Sequence, residues 1–421
     1  MIDNFKIDIS KSLHEILEIE TLRVPKTNFE SILIFFYSIF IHIFRLMLWL
    51  WLHLFLRLRG PKEGEIFENI VIYFNGMLGD VSVHIPALTL IRNSYKNSHI
   101  TFICNSEGFP IKDYLMALGL FDNCITISSQ PVVRNGFNFS MDDSIYANIR
   151  SDLFINFSPY SNRGVLGFVA REMVFAKMLG AKCYAGDLLS FYGTGKFSNQ
   201  ISRFFVKNEP RRSQFILRSL GLDPNDVESG LPIISSLPSR LLKYDAVGNL
   251  IKYAVINPGA KFKVKRWPTS YFAQITQYLH DELGLEVYIT GSSGEGHLGD
   301  EIGLLDGNKS ISLCGKTSLP ELVEVLRGAE LIISNDTGPM HLASLMNRPT
   351  IAIFGTRMSL THWYPVGKNT TVIAHYHEDS FSFDDLGLKE HRLERIAPSI
   401  VKGQIEDFIA KGTLKIEYAA T

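Results

Sequence analysis

From about residue 70 onward, short apolar runs alternate with longer amphipathic stretches, and no other feature limits the possible folds as tightly. Ile70–Phe74, Ile100–Cys104, Cys124–Ile127 and Leu153–Phe157 are strand-length apolar runs, while Ile85–Tyr95, Ile111–Leu118 and Leu166–Leu179 repeat at helical spacing. Strands separated by helices of this length pair in parallel, and the helices cover both faces of the sheet. After Leu237-Pro238 and a loosely patterned stretch to Leu250, the alternation begins again. Its strands are Tyr253–Ile256, Glu286–Thr290, Ile311–Leu313, Leu331–Ser334 and Thr350–Phe354, with helices at Tyr271–Leu283, Leu319–Gly328 and Pro339–Met346.

The fold class expected is therefore α/β, with two blocks of comparable size. Each sheet carries its ligand loops at the carboxyl ends of its strands, so two such sheets face one another across a cleft. The boundaries read as a peripheral segment 1–28, an apolar helix 29–60, a first block 61–245, a second block 246–395 and a terminal segment 396–421. The amphipathic helix Ile396–Ile409 of that last segment is expected to pack back on the first block.

Composition excludes several classes. A formal net charge of −1 over 421 residues leaves no electrostatic footprint for nucleic acid. Cys104, Cys124, Cys183 and Cys314 are far apart, with no CxxC pair, and read as buried thiols in a reducing compartment. The N-x-S/T triplets at Asn138, Asn156, Asn308, Asn335 and Asn369 read as chance, since nothing else points to secretion.

One segment departs from this picture. Residues 31–56, SILIFFYSIFIHIFRLMLWLWLHLFL, contain a single ionised side chain, Arg45. As a helix they extend roughly 39 Å, longer than a hydrocarbon core of about 30 Å. Ser31, Ser38, His42, Arg45 and His53 fall in one narrow stripe, which suits a helix lying in the membrane interface. A spanning helix with Arg45 snorkelling is the other membrane reading, and a buried core or oligomerisation helix is the plain one. Arg57, Arg59 and Lys62 follow directly and favour a body on the cytoplasmic face of the inner membrane.

Four clusters carry chemistry. Ser334-Asn335-Asp336-Thr337-Gly338-Pro339-Met340-His341 joins a strand to a helix: Pro339 suits the first turn, and Asp336 or Thr337 can cap it. Gly338 allows close approach of a ligand, the helix start favours phosphate, and His341 offers a donor or a positive charge. Asn257-Pro258-Gly259-Ala260 ends another strand and leads into Lys261, Lys263, Lys265 and Arg266, a basic loop suited to a diphosphate and stiffened by Trp267-Pro268. The third cluster, Thr290-Gly291-Ser292-Ser293-Gly294-Glu295, places an acid after small residues, as where a carboxylate holds ribose hydroxyls. In the first block, Asn75-Gly76-Met77-Leu78-Gly79-Asp80 makes a tight turn whose Asp80 is either a helix cap or a general base.

Together these clusters resemble glycosyltransferase family 9, which includes the lipopolysaccharide heptosyltransferases. The resemblance rests on "YFNGMLGDVSVHIPALTLIR", "INPGAKFKVKRWP", "LCGKTSLPELVEVLRGAELIISNDTGPMHLASLMNRPTIAIFG" and the acid of "GSSGEG", and runs from about residue 69 to 411. It implies a GT-B fold of two Rossmann-like domains, with an acceptor side in the first and a nucleotide-diphospho-sugar donor in the second. It further implies inversion at the anomeric carbon with no metal and no cofactor, in keeping with the absence of any DxD triplet. By resemblance Asp80 matches a catalytic base, Lys265 the lysine that steadies departing phosphates, and Glu295 the acid near the donor ribose. Gly259, Arg266, Gly291, Asp336, Thr337, Gly338 and His341 fall in donor-binding segments, and Gly76 and Gly79 in the acceptor-side loop. The implied partners are a nucleotide-sugar donor of heptose type, a glycolipid or lipopolysaccharide-type acceptor and the membrane. The competing expectations are a non-catalytic nucleotide-sugar-binding scaffold and another GT-B enzyme, such as a nucleotide-sugar epimerase.

Overall fold

The computed structural model describes residues 56–415 apart from 77, 105–110, 128–131, 136–137, 142–145, 159–164, 187–208, 228–230, 232, 234–236, 356–362 and 375–391. The apolar run expected as a membrane helix lies almost wholly outside the described residues. Where the expected segment ends, Arg57 takes a positive φ of 52° and Arg59 forms a parallel bridge to Cys183, so the chain is not helical up to residue 60. No helix among the described residues is long and apolar enough to cross a membrane.

The first block is a parallel sheet of five strands: β1 (Asn69–Phe74), β2 (His99–Cys104), β3 (Asn123–Thr126), β6 (Leu153–Asn156) and β7 (Cys183–Gly186), in the order β3-β2-β1-β6-β7. A hairpin of β4 (Val132–Asn135) and β5 (Asn138–Met141) stands apart from it. The helices here are α1 (Leu78–Ser82), α2 (Ile85–Ser94), α3 (Ile111–Ala117), α4 (Val165–Met178) and α5 (Glu209–Ser219). β1 lies in the middle of the sheet and is buried on both faces after its first residue, so its carboxyl end delivers the turn at Asn75–Asp80 to the sheet's centre.

The second block has six parallel strands in the order β10-β9-β8-β11-β12-β13. They are β8 (Tyr253–Asn257), β9 (Glu286–Ile289), β10 (Ser310–Ser312), β11 (Leu331–Asn335), β12 (Thr350–Phe354) and β13 (Thr370–Ala374). The helices are α6 (Thr269–Asp281), α7 (Gly296–Leu305), α8 (Leu319–Gly328), α9 (Gly338–Leu345) and α10 (Pro398–Ala410). β8 and β11 are adjacent and fully buried, and their carboxyl ends bring the loops after Asn257 and Asn335 side by side. A capping box of Ser318 and Glu321 starts α8.

Tyr253, Val255 and Ile332 of the second sheet share one apolar cluster with Ile70, Ile72 and Phe74 of the first. The opposite face of the second sheet is closed by α6 and α10. Val401, Ile405 and Phe408 of α10 are buried in the cluster that holds Phe272 and Leu279 of α6. That corrects the expected crossing of the last helix to the first block: its apolar stripe finds its partner on α6, next to β8.

Candidate functional site

The carboxyl ends of β8, β9 and β11 converge on one place. Lys265 Nζ donates to Asp336 Oδ2 at 2.6 Å, joining the basic loop to the turn before α9. The pair is largely withdrawn from water, with side-chain exposures of 12% and 4%. Of the other basic residues, Arg266 turns its Nε onto the Ala260 carbonyl at 2.9 Å, while Lys261 and Lys263 stay exposed. Trp267 is a core residue. Its ring packs edge-on against Phe272 at 4.9 Å, its indole N–H donates to the Ile396 carbonyl, and its backbone N–H reaches Asn335 Oδ1. It anchors the loop from beneath and holds Lys265 in place through the chain.

At α9 the expected caps are otherwise engaged. Thr337 occupies the N-cap position with extended backbone, but its hydroxyl does not cap the helix. It accepts from Asn257 Nδ2 at 2.8 Å instead, and the Asp336 carboxylate is held by Lys265. With Pro339 in the first turn, this leaves a helix start to which neither expected side chain is committed.

His341 is buried at 3% exposure, and burial pushes its pKa down to about 4; the nearby Asp336 carboxylate raises it and Lys265 lowers it further. The imidazole is therefore neutral at pH 7, which removes the positive charge that its position had suggested and keeps its capacity as a donor or acceptor.

Glu295 folds back on its own turn, where its Oε2 accepts from the Ser292 N–H and hydroxyl at 2.9 and 2.8 Å. Its carboxylate lies against Gly259, where a Cβ would come 2.2 Å from Oε1, and against Gly291, where a Cβ would come 3.3 Å from the Glu295 Cβ. The absence of a Cβ at both glycines permits this close approach, and the fold brings Gly259, Gly291 and Glu295 together.

From the first sheet, the turn after β1 meets this group. Asp80 sits in the first turn of α1 as its third residue rather than as its cap. Its Oδ2 lies 2.9 Å from where a Cβ on Gly76 would be. A Cβ on Gly79 would lie 3.4 Å from the Gly338 nitrogen and 3.6 Å from His341 Cδ2. Asp80 is one residue from Gly79, one of the places where the two blocks come into contact.

Sequence reasoning missed Asn257 and Asn335 as site-forming side chains. Asn335 Nδ2 ties the Pro258 carbonyl at 2.8 Å, locking the two turns together. The available signal was an asparagine at the carboxyl end of each of two neighbouring strands. Among the described residues no group of three His, Cys, Asp or Glu side chains is placed to hold a metal.

Two parallel, helix-covered sheets that meet at the carboxyl ends of their strands define an α/β protein of GT-B type. Residues 211–387 match the model of glycosyltransferase family 9 (heptosyltransferase). The curated lipooligosaccharide heptosyltransferase 2 of Campylobacter jejuni subsp. jejuni serotype O:6 is 32% identical over 164 residues, covering 36% of this chain and 50% of that one. Lipopolysaccharide heptosyltransferase 2 of Escherichia coli K12 is 35% identical over 103 residues, 23% of this chain and 29% of the relative. The chain thus spans half or less of the length of these curated relatives. Among solved structures, a family 9 glycosyltransferase from Veillonella parvula superposes with a TM-score of 0.61 at 18% identity, over 83% of this chain and 100% of the other. The E. coli heptosyltransferase WaaC with ADP gives 0.55 at 17% identity, over 80% and 99%. These two likenesses establish the fold.

Proposed function

We propose that this chain is an inverting, metal-independent glycosyltransferase that moves a heptose-type sugar from a nucleoside diphosphate to a lipid-linked surface glycan such as a lipopolysaccharide core. The observation that carries the reading is the convergence of Lys265, the uncapped start of α9 and Asp80 at the contact between two sheets. In this reading residues 246–395 hold the donor and 61–245 the acceptor.

The donor diphosphate lies at the start of α9 and beside Lys265, where a positive end and an ammonium stabilise charge as the bond from the anomeric carbon to the diphosphate oxygen breaks. Gly338 lets the backbone approach it, and Thr337 and His341 complete the turn. Glu295, framed by Gly259 and Gly291, accepts from the ribose hydroxyls. Arg266 shapes the loop through its bond to Ala260. On the facing side, Gly76 and Gly79 bring Asp80 to the acceptor hydroxyl. As that hydroxyl attacks the anomeric carbon, its proton passes to Asp80. Contact of the two blocks at Gly79 and Gly338 excludes water, whose attack is the competing reaction. Residues 31–56 attach the enzyme to the cytoplasmic face of the membrane that carries its acceptor.

The test is turnover by the purified full chain with a panel of nucleotide sugars and a glycolipid extract, with and without EDTA, beside Asp80→Ala. Metal-independent release of nucleoside diphosphate that needs the extract and disappears in the variant supports the reading. Nucleotide-sugar binding with no turnover across the panel sinks it in favour of a scaffold.

A further inference from the structure

We infer that Asn257 is a positioning residue for the donor diphosphate: it holds the Thr337 hydroxyl off the first turn of α9 and so keeps that helix start open to an anion. This rests on the donor reading above.

A threonine at an N-cap ordinarily turns its hydroxyl toward the free N–H groups of the first turn. Thr337 has the extended backbone of such a residue, with φ −150° and ψ 174°, yet makes no capping bond. Asn257 lies beside it at the end of β8, 3% exposed and in register with Ser334 of β11. Its Nδ2 donates to Thr337 Oγ1 at 2.8 Å and to Ser334 Oγ at 3.3 Å. The Ser334 hydroxyl in turn donates to the Asn335 carbonyl at 2.8 Å. The threonine is therefore held from the sheet side.

Thr290 supplies an independent sign that a polar ligand group belongs at this edge. It continues the row on the other side of Asn257, with its backbone N–H on the Ile256 carbonyl at 2.9 Å. Val287 and Ile289 of β9 face the cluster beneath α6, which puts Thr290 on the opposite face, with Asn257 and Ser334. Thr290 is 0% exposed, and its hydroxyl has no partner among the described residues. A buried hydroxyl left unsatisfied at the end of the strand next to that of Asn257 is open to a polar group that the chain does not contribute.

The experiment is calorimetric titration of the full chain with ADP, comparing Asn257→Ala in the Thr337 background and in a Thr337→Val background that cannot cap. Asn257→Leu is run in parallel, since it fills the space that alanine leaves and guards against loss of fold. The expected result is about fivefold weaker binding on losing Asn257 when Thr337 is present, and no further loss when Val is there. An equal loss in both backgrounds, or none in either, overturns the inference. Failure of the unmodified chain to bind ADP or any other nucleoside diphosphate overturns the donor reading itself, and the inference with it.

Discussion

The Lys265 ammonium sits 2.6 Å from Asp336 Oδ2 and ties a loop after β8 to a turn after β11. Because both side chains are mostly buried, the pair is worth little over an apolar substitute, but breaking it is costly. Asp336→Ala takes the carboxylate at 2.6 Å away from a mostly buried ammonium and is expected to destabilise the chain by about 3 kcal/mol. Removing both partners is expected to cost less than removing Asp336 alone. Lys265→Ala should lower kcat on the order of 10²-fold through lost leaving-group stabilisation. Urea midpoints for the two single variants and the double variant check the first claim, and equal midpoints for Asp336→Ala and the double variant would refute it.

His341 makes stability depend on pH in a defined window. Its folded pKa is lowered to about 4 from an ordinary 6.5, with burial as the main cause. Between those values the unfolded chain binds a proton that the folded chain does not. Stability is therefore lost as pH falls from about 6.5 toward 4, by at most roughly 3 kcal/mol. In His341→Gln that part of the loss should be absent, so its urea midpoint should fall less between pH 7 and pH 4.5. Parallel curves for the two proteins would show that the imidazole is not held neutral.

The elements easiest to read were those whose residues are buried on consecutive positions. β8, β11 and β12 are mostly apolar, with β8 and β11 closing on an asparagine, and are buried at every position. β13 was invisible because Thr370–Ala374 is half-buried at the sheet's edge, and threonines there read as loop. β7 is four residues long and ends in Ala-Gly. At the site, sequence spacing picked out loops that the fold brings side by side, but not the side-chain directions within them. In KVKRWP one residue enters the core, one turns to a backbone carbonyl and one meets Asp336, 71 positions away. Those directions are set by partners that only the folded sheet brings near.

Gly259 and Glu295 provide a steric test of the ribose reading. The Cβ of Gly259→Ala would lie 2.2 Å from Glu295 Oε1 and 2.5 Å from its Cδ, so the carboxylate must leave its place. It is the far end of a flexible side chain, so the fold should survive. Donor KM is expected to rise roughly tenfold in Gly259→Ala, as for loss of one charge-assisted contact to the ligand. Glu295→Ala should do the same, and the double variant should be no worse than either. Additive losses in steady-state kinetics would mean that the alanine acts elsewhere.

Tyr114 of the first block and Glu324 of the second lie close enough to feel each other's charge, and each has a buried polar atom left over. Tyr114 lies on α3 and Glu324 on α8, and both helices feed the apolar cluster that spans the sheets. The Tyr114 hydroxyl and Glu324 Oε1 are buried without partners among the described residues, while Glu324 Oε2 accepts from Arg327 Nε at 3.0 Å. Burial raises the Tyr114 pKa, while the Arg327 guanidinium lowers it and the Glu324 carboxylate raises it. An unsatisfied buried hydroxyl contributes nothing to offset its lost hydration. Tyr114→Phe keeps the ring and removes that group, so it should be neutral or stabilise by up to about 1 kcal/mol. The reverse holds at the other side: Glu324→Ala removes one of the partners of Arg327 and should destabilise. Thermal unfolding of both variants decides, and a loss of more than about 1 kcal/mol in Tyr114→Phe would mean that the hydroxyl is hydrogen-bonded in solution.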